Sequence, residues 1–359
     1  MNEECLKLTT YFGERDRSGG RFLADALLDL YGRREMRVSV LLRGIEGFGI
    51  KHRLHTQRLL TLSEDLPVVA VAVDTRARVE ALVPEVVDLS AHGLITLERA
   101  RIVGGDSSHV PAGDEAAEQT KLTVYVGRQE RAGGSSAPRA VVGALHRHGV
   151  AGATALLGVD GTVHGARRRA AFFGANAEVP VMVIAVGDGS RIASALPDIA
   201  AMLDRPRMTL ERVRVCRRDG RQVAEPRDLP GADSAGLGLW QKLMVYSSER
   251  ATHRGVPLHT ALIRRLREHN APGTTALRGF WGYHGDHEPH GDRLWSLRRR
   301  VPVVTVIVDT PPMIRRWFEV VTEVTAESGL VTSEIVPALR ATDRAAEHGG
   351  LALAERWED

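Results

Sequence analysis

Residues 6–12 alternate. Leu6, Leu8 and Phe12 share one side of an extended chain, and Lys7, Thr9 and Tyr11 share the other. A period of two predicts a β-strand. Over 21–33 the step changes: Phe22, Ala26, Leu27, Leu30 and Tyr31 recur at helical spacing. Val38 to Leu42 predicts a second strand, Val68 to Val73 a third, residues 76–91 a second helix and Leu97 to Val103 a last strand. Pro67 stands at the start of the third strand, where a missing N–H is tolerated. The order is β-α-β-β-α-β.

The same order returns twice. Lys7-Leu8-Thr9-Thr10-Tyr11 is echoed by Lys121-Leu122-Thr123-Val124-Tyr125 and by Lys242-Leu243-Met244-Val245-Tyr246. Each Tyr precedes a Gly by 33 residues (Gly44, Gly158, Gly279), and a second Gly follows three residues on (Gly47, Gly161, Gly282). A Pro in an aliphatic run comes 22 or 23 residues after the first Gly (Pro67, Pro180, Pro302), and Thr96, Thr209 and Thr332 close the register. Such spacing means internal repetition. The units are 1–104, 118–217 and 239–338, with a tail over 339–359. Further helices are expected near 137–148, 190–203, 257–269 and 312–328.

A β-α-β-β-α-β unit with right-handed crossovers gives a ferredoxin-like α+β sandwich, with both helices on one face of the sheet. The third strands are apolar on both sides: Val68 to Val73, Val181 to Val186 and Val303 to Val308. A sheet with one wet face would alternate. The second face must therefore meet another sheet, and the other two repeats supply it. Residues 104–119 and 217–240 are rich in Gly, Asp, Ser, Pro and Arg; sixteen extended residues reach roughly 50 Å. The expectation is an intramolecular pseudo-trimer, monomeric as a chain. The Ala-, Glu- and Arg-rich tail predicts a helix or partial disorder.

Composition bounds the chemistry. Hydrophobic residues make up 43% and charged residues 26%, and the net charge is +3; these are ordinary globular values that give no argument for nucleic acid. No apolar run approaches the roughly 20 residues of a membrane span. Met1-Asn2-Glu3-Glu4 lacks an apolar signal region, and Cys5 and Cys216 lie in different repeats, so a reducing cytoplasm is the expected setting. There is no G-x-S-x-G, H-E-x-x-H, C-x-x-C, Walker loop or Rossmann fingerprint, so no enzyme is expected. Gly13 to Gly20 is too mixed in charge for an acylphosphatase anion loop, and the third strands lack the aromatics of an RNA-recognition motif.

Three segments predict long connections: 44–66, 158–179 and 279–301. All open on Gly-x-x-Gly, and loops above about 12–15 residues are usually functional or disordered. Paired glycines let backbone N–H groups approach an anion, or simply shape the turn. The loops continue basic, with Lys51, His52, Arg53, His55 and Arg58, then Arg167 to Arg169, then Arg298 to Arg300. They suit an acidic partner or a solvated loop. Lys7, Tyr11, Lys242 and Tyr246 face the expected junction, where they contact a ligand or hydrogen-bond across it. The candidate ligand-binding residues are these four with Arg43, Gly44, Glu46, Gly47, Arg278, Gly279 and Gly282. His284, His287 and His290, set among Asp286, Glu288 and Asp292, form the one metal-like cluster, though their spacing matches no established ligand pattern.

Leu42-Arg43-Gly44-Ile45-Glu46-Gly47-Phe48-Gly49, Leu62-Ser63-Glu64-Asp65-Leu66-Pro67-Val68-Val69, Val73-Asp74 and Gly93-Leu94-Ile95-Thr96-Leu97-Glu98 together resemble the PII-like family known as domain of unknown function 190. The third repeat keeps Leu277-Arg278-Gly279, Val301-Pro302-Val303-Val304, Val308-Asp309 and Gly329-Leu330-Val331-Thr332. The second departs: Leu157 stands where Arg43 and Arg278 stand, and Gly187 where Asp74 and Asp309 stand. The resemblance implies a trimeric ferredoxin-like fold similar to PII signalling proteins, which bind adenine nucleotides between subunits and act through the long loop on a transporter, channel or enzyme. It hints at a fluoride channel as partner. The expected function is a non-enzymatic regulator binding a small anionic ligand at clefts between repeats. The alternatives are a metal-binding or metal-tolerance protein and a scaffold without ligand.

Overall fold

A computed structural model describes residues 3–49, 55–56, 65–104, 117–163, 166–167, 179–284, 288–291, 301–343 and 346–356. Each repeat follows the expected order. Repeat one comprises β1 (Glu3–Gly13), α1 (Leu23–Arg33), β2 (Val38–Phe48), β3 (Pro67–Thr75), α2 (Arg76–Leu89) and β4 (Gly93–Val103). Repeat two comprises β5 (Glu118–Gly127), α3 (Ala137–Arg147), β6 (Gly152–Val163), β7 (Pro180–Gly187), α4 (Gly189–Met202) and β8 (Arg207–Arg218). Repeat three comprises β9 (Trp240–Ser248), α5 (Leu258–Glu268), β10 (Thr274–His284), β11 (Pro302–Asp309), α6 (Pro311–Val324) and β12 (Leu330–Val336). A hairpin follows, β13 (Ala338–Asp343) and β14 (Ala346–Gly350). Among the described residues no helix is long and apolar enough to cross a membrane.

In every repeat the first strand lies between the third and the last, and the second strand flanks the third, all antiparallel. Lys7 faces Val73 on one side and Glu98 on the other, and Val38 faces Val73. Helical periodicity decides which side chains enter the outer cores. α1 buries Leu23, Ala26, Leu27, Leu30 and Tyr31, and α6 buries Ile314, Trp317, Phe318, Val321 and Val324. Each buried Leu, Ile, Val or Phe among these contributes roughly 1.5–3 kcal/mol. Asp74 fixes a strand-to-helix junction: its carboxylate accepts from the Thr75 and Arg37 backbone N–H groups at 2.8 and 3.0 Å. Repeat two replaces that device. Asp188 caps α4 by accepting from Ser190 N at 2.8 Å, and a Cβ on Gly187 would meet Val150 Cγ1 at 2.9 Å.

The doubly apolar third strands have both faces buried, as expected. One face packs under the helices of its own repeat, in three separate cores. The other joins a central core fed by all three repeats, including Val71, Ile184 and Val306 with Tyr125 and Tyr246.

The repeats are joined by strand pairing in a cycle. β2 pairs with β6, β6 with β10, and β10 with β2. At the other edge the end of β4 pairs with the start of β8, the end of β8 pairs with β12, and β13 pairs with β4. These pairings close the main strands into a barrel-like wall within one 18-stranded sheet.

Two expectations are corrected. The segments 44–66, 158–179 and 279–301 do not open as loops, because the second strands run on to Phe48, Val163 and His284. Gly-x-x-Gly sits inside the strand, where neighbouring repeats touch. A Cβ on Gly47 would lie 2.5 Å from Thr274 O, one on Gly161 2.4 Å from Ser39 O, and one on Gly282 2.3 Å from Ala153 O. The conserved-spacing Pro closes the same gap: a Cβ on Gly44, Gly161 or Gly279 would meet Pro67, Pro180 or Pro302 Cγ at 2.6, 2.3 and 2.7 Å. The anchors Gly, Gly and Pro are thus one packing unit. Past them, the extended strands insert Ile45 and Phe48 into the core of repeat three, and Tyr283 into that of repeat two. The tail is the second correction. It forms the β13–β14 hairpin instead of a helix, because the edge of β4 offers unpaired backbone groups there. The basic stretches expected to contact a partner lie largely outside the described residues.

Candidate functional site

Alternation on the first strands sends Leu6 and Leu8 toward the helices and Lys7 toward the centre. Lys121 and Lys242 are placed alike, and all three are buried. On the last strands, Glu98, Glu211 and Glu334 stand directly opposite Lys7, Lys121 and Lys242. Within each repeat the Lys Nζ lies 2.9, 2.9 and 2.8 Å from its Glu Oε2. Each lysine also reaches the carboxylate of another repeat: Lys7 contacts Glu211, Lys121 contacts Glu334, and Lys242 contacts Glu98. Six charges alternate in a closed ring, each with two opposite neighbours.

A single buried ion costs several kcal/mol in lost hydration, and only close partners offset that. Here every charge has two. Burial alone would raise the carboxylates of Glu98 and Glu334; the surrounding lysines outweigh it and hold both below the usual range. Burial would lower the Lys7 and Lys242 ammonium groups; the glutamates push both up instead. The three glutamates offer oxygens within 4.8 Å of one another, the one such group of potential metal ligands among the described residues. Three interleaved lysines already neutralise them, so a divalent cation does not fit. Thr96 Oγ1 donates to Glu98 Oε1 at 3.2 Å, whereas Glu211 Oε1 and Glu334 Oε1 have no such partner among the described residues.

Beside the ring a cleft of about 600 Å³ opens to the surface. All three repeats line it: β4 and β8, next to the stretch where they pair from Met208↔Val103 to Leu210↔Arg101, together with Glu334, Ile335 and Pro337 of repeat three. Glu98, Glu211 and Glu334 form its floor, and Arg76, Arg99, Arg101, Arg212 and Arg356 line it with Glu4. Several of these arginines have partners. Arg356 pairs with Glu4 at 2.6 Å, Arg76 with Glu80 at 2.7 Å, and the Arg99 guanidinium donates to Ala354 O.

The structure separates the residues nominated from sequence. Lys7 and Lys242 meet in the ring, and Tyr11 and Tyr246 pack in the central core beside it. Burial raises both phenols. Gly44, Glu46 and Gly47 lie at the seam with repeat three, where Glu46 accepts from Thr260 Oγ1 at 2.6 Å. Gly279 and Gly282 lie at the seam with repeat two. Arg43 pairs with Glu14 at 2.8 Å and Arg278 with Glu249 at 2.6 Å, the same contact in repeats one and three. His284 ends β10, the His290 Nδ1 lies 2.9 Å from Glu288 O, and His287 is outside the described residues. None of these lines the cleft. Sequence reasoning missed Glu98, Glu211, Glu334 and the cleft arginines. One signal was available: Thr-x-Glu recurs at 96–98, 209–211 and 332–334, in step with the three lysines.

The model of the family DUF190, described as an uncharacterized ACR, matches residues 5–102, 119–215 and 240–338. A UPF0166 protein of Aquifex aeolicus (strain VF5) is 32% identical over 94 residues, which are 26% of this chain and 88% of that protein. It matches the length of one repeat. Among solved structures, an aspartate kinase from Synechocystis aligns with a TM-score of 0.25 at 12% identity, over 96% of this chain and 46% of that one. The chain thus spans about half of that kinase. An unknown protein from Galdieria sulphuraria aligns with a TM-score of 0.16 at 14% identity, over 61% of this chain and 98% of that one. Neither likeness is close enough to carry an argument.

Proposed function

This chain belongs to the DUF190 family, in three tandem copies, and on that premise we propose that it is a PII-like signalling protein without enzymatic activity. Its three units form a ferredoxin-like pseudo-trimer in one polypeptide, a reading supported by the shared strand order and the cyclic seams. It binds a small anionic ligand between repeats, with adenine nucleotides the first candidates. It passes the ligand state to a protein partner such as a membrane channel or transporter, through the segments that follow the second strands.

The observation that carries this reading is the arginine-lined cleft where the last strands of the three repeats come together. Convergent guanidiniums in a concavity of this size suit an organic anion. A thermal-shift screen with adenine nucleotides, small organic anions and divalent metals tests it. At a hundredfold excess over Kd, a ligand adds about 2.7 kcal/mol of stability. Stabilisation by an anion is the expected result. Stabilisation by a divalent metal alone would point to the metal-binding alternative, and no stabilisation at all to a scaffold.

A further inference from the structure

Resting on that reading, we infer that the cleft beside the charge ring is a single polyanion site, taking a compact ligand with two or more phosphate or carboxylate groups. Five guanidiniums line the cleft against one carboxylate outside the ring, Glu4. The three glutamates of its floor are already matched by Lys7, Lys121 and Lys242. The lining is therefore strongly cationic although the whole chain is nearly neutral.

Three of the five arginines are accessible to a ligand. Arg212 is exposed and has no partner among the described residues. The Arg356–Glu4 and Arg76–Glu80 pairs are exposed, and such pairs hold roughly 0–1 kcal/mol. A ligand phosphate, accepting two parallel N–H bonds from one guanidinium, displaces them at little cost.

Among the described residues, the basic lining comes from repeats one and two and from the tail. The residues after the ring glutamates are Arg99 and Arg101 in repeat one and Arg212 and Arg214 in repeat two, but Ile335 and Pro337 in repeat three. At the next seam, Arg214 and Arg227 are both taken by Glu118 at 2.6 Å. At the third, β13 pairs with β4 from Ala338↔Leu97 to Thr342↔Gly93, and the wall is closed by backbone hydrogen bonds. Within the one cleft, the arginines of repeats one and two thus stand with the apolar Ile335 and Pro337 of repeat three.

Calorimetry on the full chain with tripolyphosphate, citrate and ADP tests the site. The expected result is one equivalent bound, weakened about tenfold or more by Arg212→Ala. Arg264→Ala, which removes an exposed charge on α5, should leave binding unchanged. Binding of tripolyphosphate but not citrate assigns phosphate as the recognised group; equal binding assigns general polyanion chemistry. Three equivalents per chain, or binding untouched by Arg212→Ala but abolished by Arg43→Ala with Arg278→Ala, would overturn the cleft site. That second outcome would keep the regulatory reading and move its ligand to the Arg43 and Arg278 region. No heat with any probe would remove both.

Discussion

Lys121 and Glu334 stand 213 residues apart in the chain and in different repeats, yet their side chains are in direct ionic contact at the centre of the molecule. The same contact, permuted, joins Lys7 to Glu211 and Lys242 to Glu98. A buried contact that runs from each repeat to the next makes the stability of every unit depend on its neighbour.

Breaking the ring at one point should cost more than removing it. Lys121→Met leaves Glu211 and Glu334 short of a counter-charge in a buried site, with an expected loss of about 3–5 kcal/mol. Replacing all six members by apolar residues of similar volume should cost less than that single change. Urea denaturation of the two variants checks the order, and a larger loss in the six-fold variant would contradict it.

Three pH windows should separate. Burial and the Arg278 charge lower the His259 imidazole from 6.5 to about 4. The unfolded chain then binds the extra proton first, so stability falls as pH drops through 6.5 toward 4. Glu98 and Glu334 are depressed below 4.5, so the ring's contribution is complete above that pH and is lost only as pH falls further. Raised Lys7 and Lys242 contribute fully below 10.5 and lose their share above it. His259→Gln should flatten the pH dependence of the denaturation midpoint between 6.5 and 4 and leave the steeper acid limb in place.

The seam glycines should not tolerate a methyl group. Gly161→Ala puts a Cβ 2.3 Å from Pro180 Cγ and 2.4 Å from Ser39 O. Overpacking of this kind costs typically 1–3 kcal/mol. Gly49→Ala meets nothing within 4 Å and should be close to neutral. Thermal midpoints of the two variants provide the comparison.

Most of this architecture was legible in the sequence because it is local. Alternation over Leu6 to Phe12 and the helical spacing of Leu27, Leu30 and Tyr31 placed the elements, and the doubly apolar Val68–Val73 required a second buried face. What failed was non-local. Gly44 to Phe48 has loop composition, and its strand character comes from Thr274 to Leu277, in another repeat. The tail's Ala and Glu favour a helix, but pairing of Ala338 to Thr342 with β4 outweighs that weak preference. The cleft arginines carry no local pattern; the meeting of β4, β8 and the residues after β14 assembles them.

Removing residues 338–359 should leave the edge of β4 unpaired from Gly93 to Leu97 and strip Leu339 from the central core, exposing the apolar surface it covers. An open, apolar edge recruits another strand. Light scattering of the truncated chain should therefore show self-association where the full chain stays at one mass, and a monodisperse truncated monomer would contradict this.

The pairing of β13 with β4 also sets an order of events during synthesis. Repeat one emerges first from the ribosome, but the strand that covers the edge of β4 is made only after repeat three. Until then, repeat one waits with an open flank and with Lys7 missing Glu211, its counter-charge from repeat two. Domains that fold as they emerge are exposed to misassembly while such edges stand open. Three tethered copies shorten that wait, because the partners that complete repeat one arrive on the same chain and need not be found by collision.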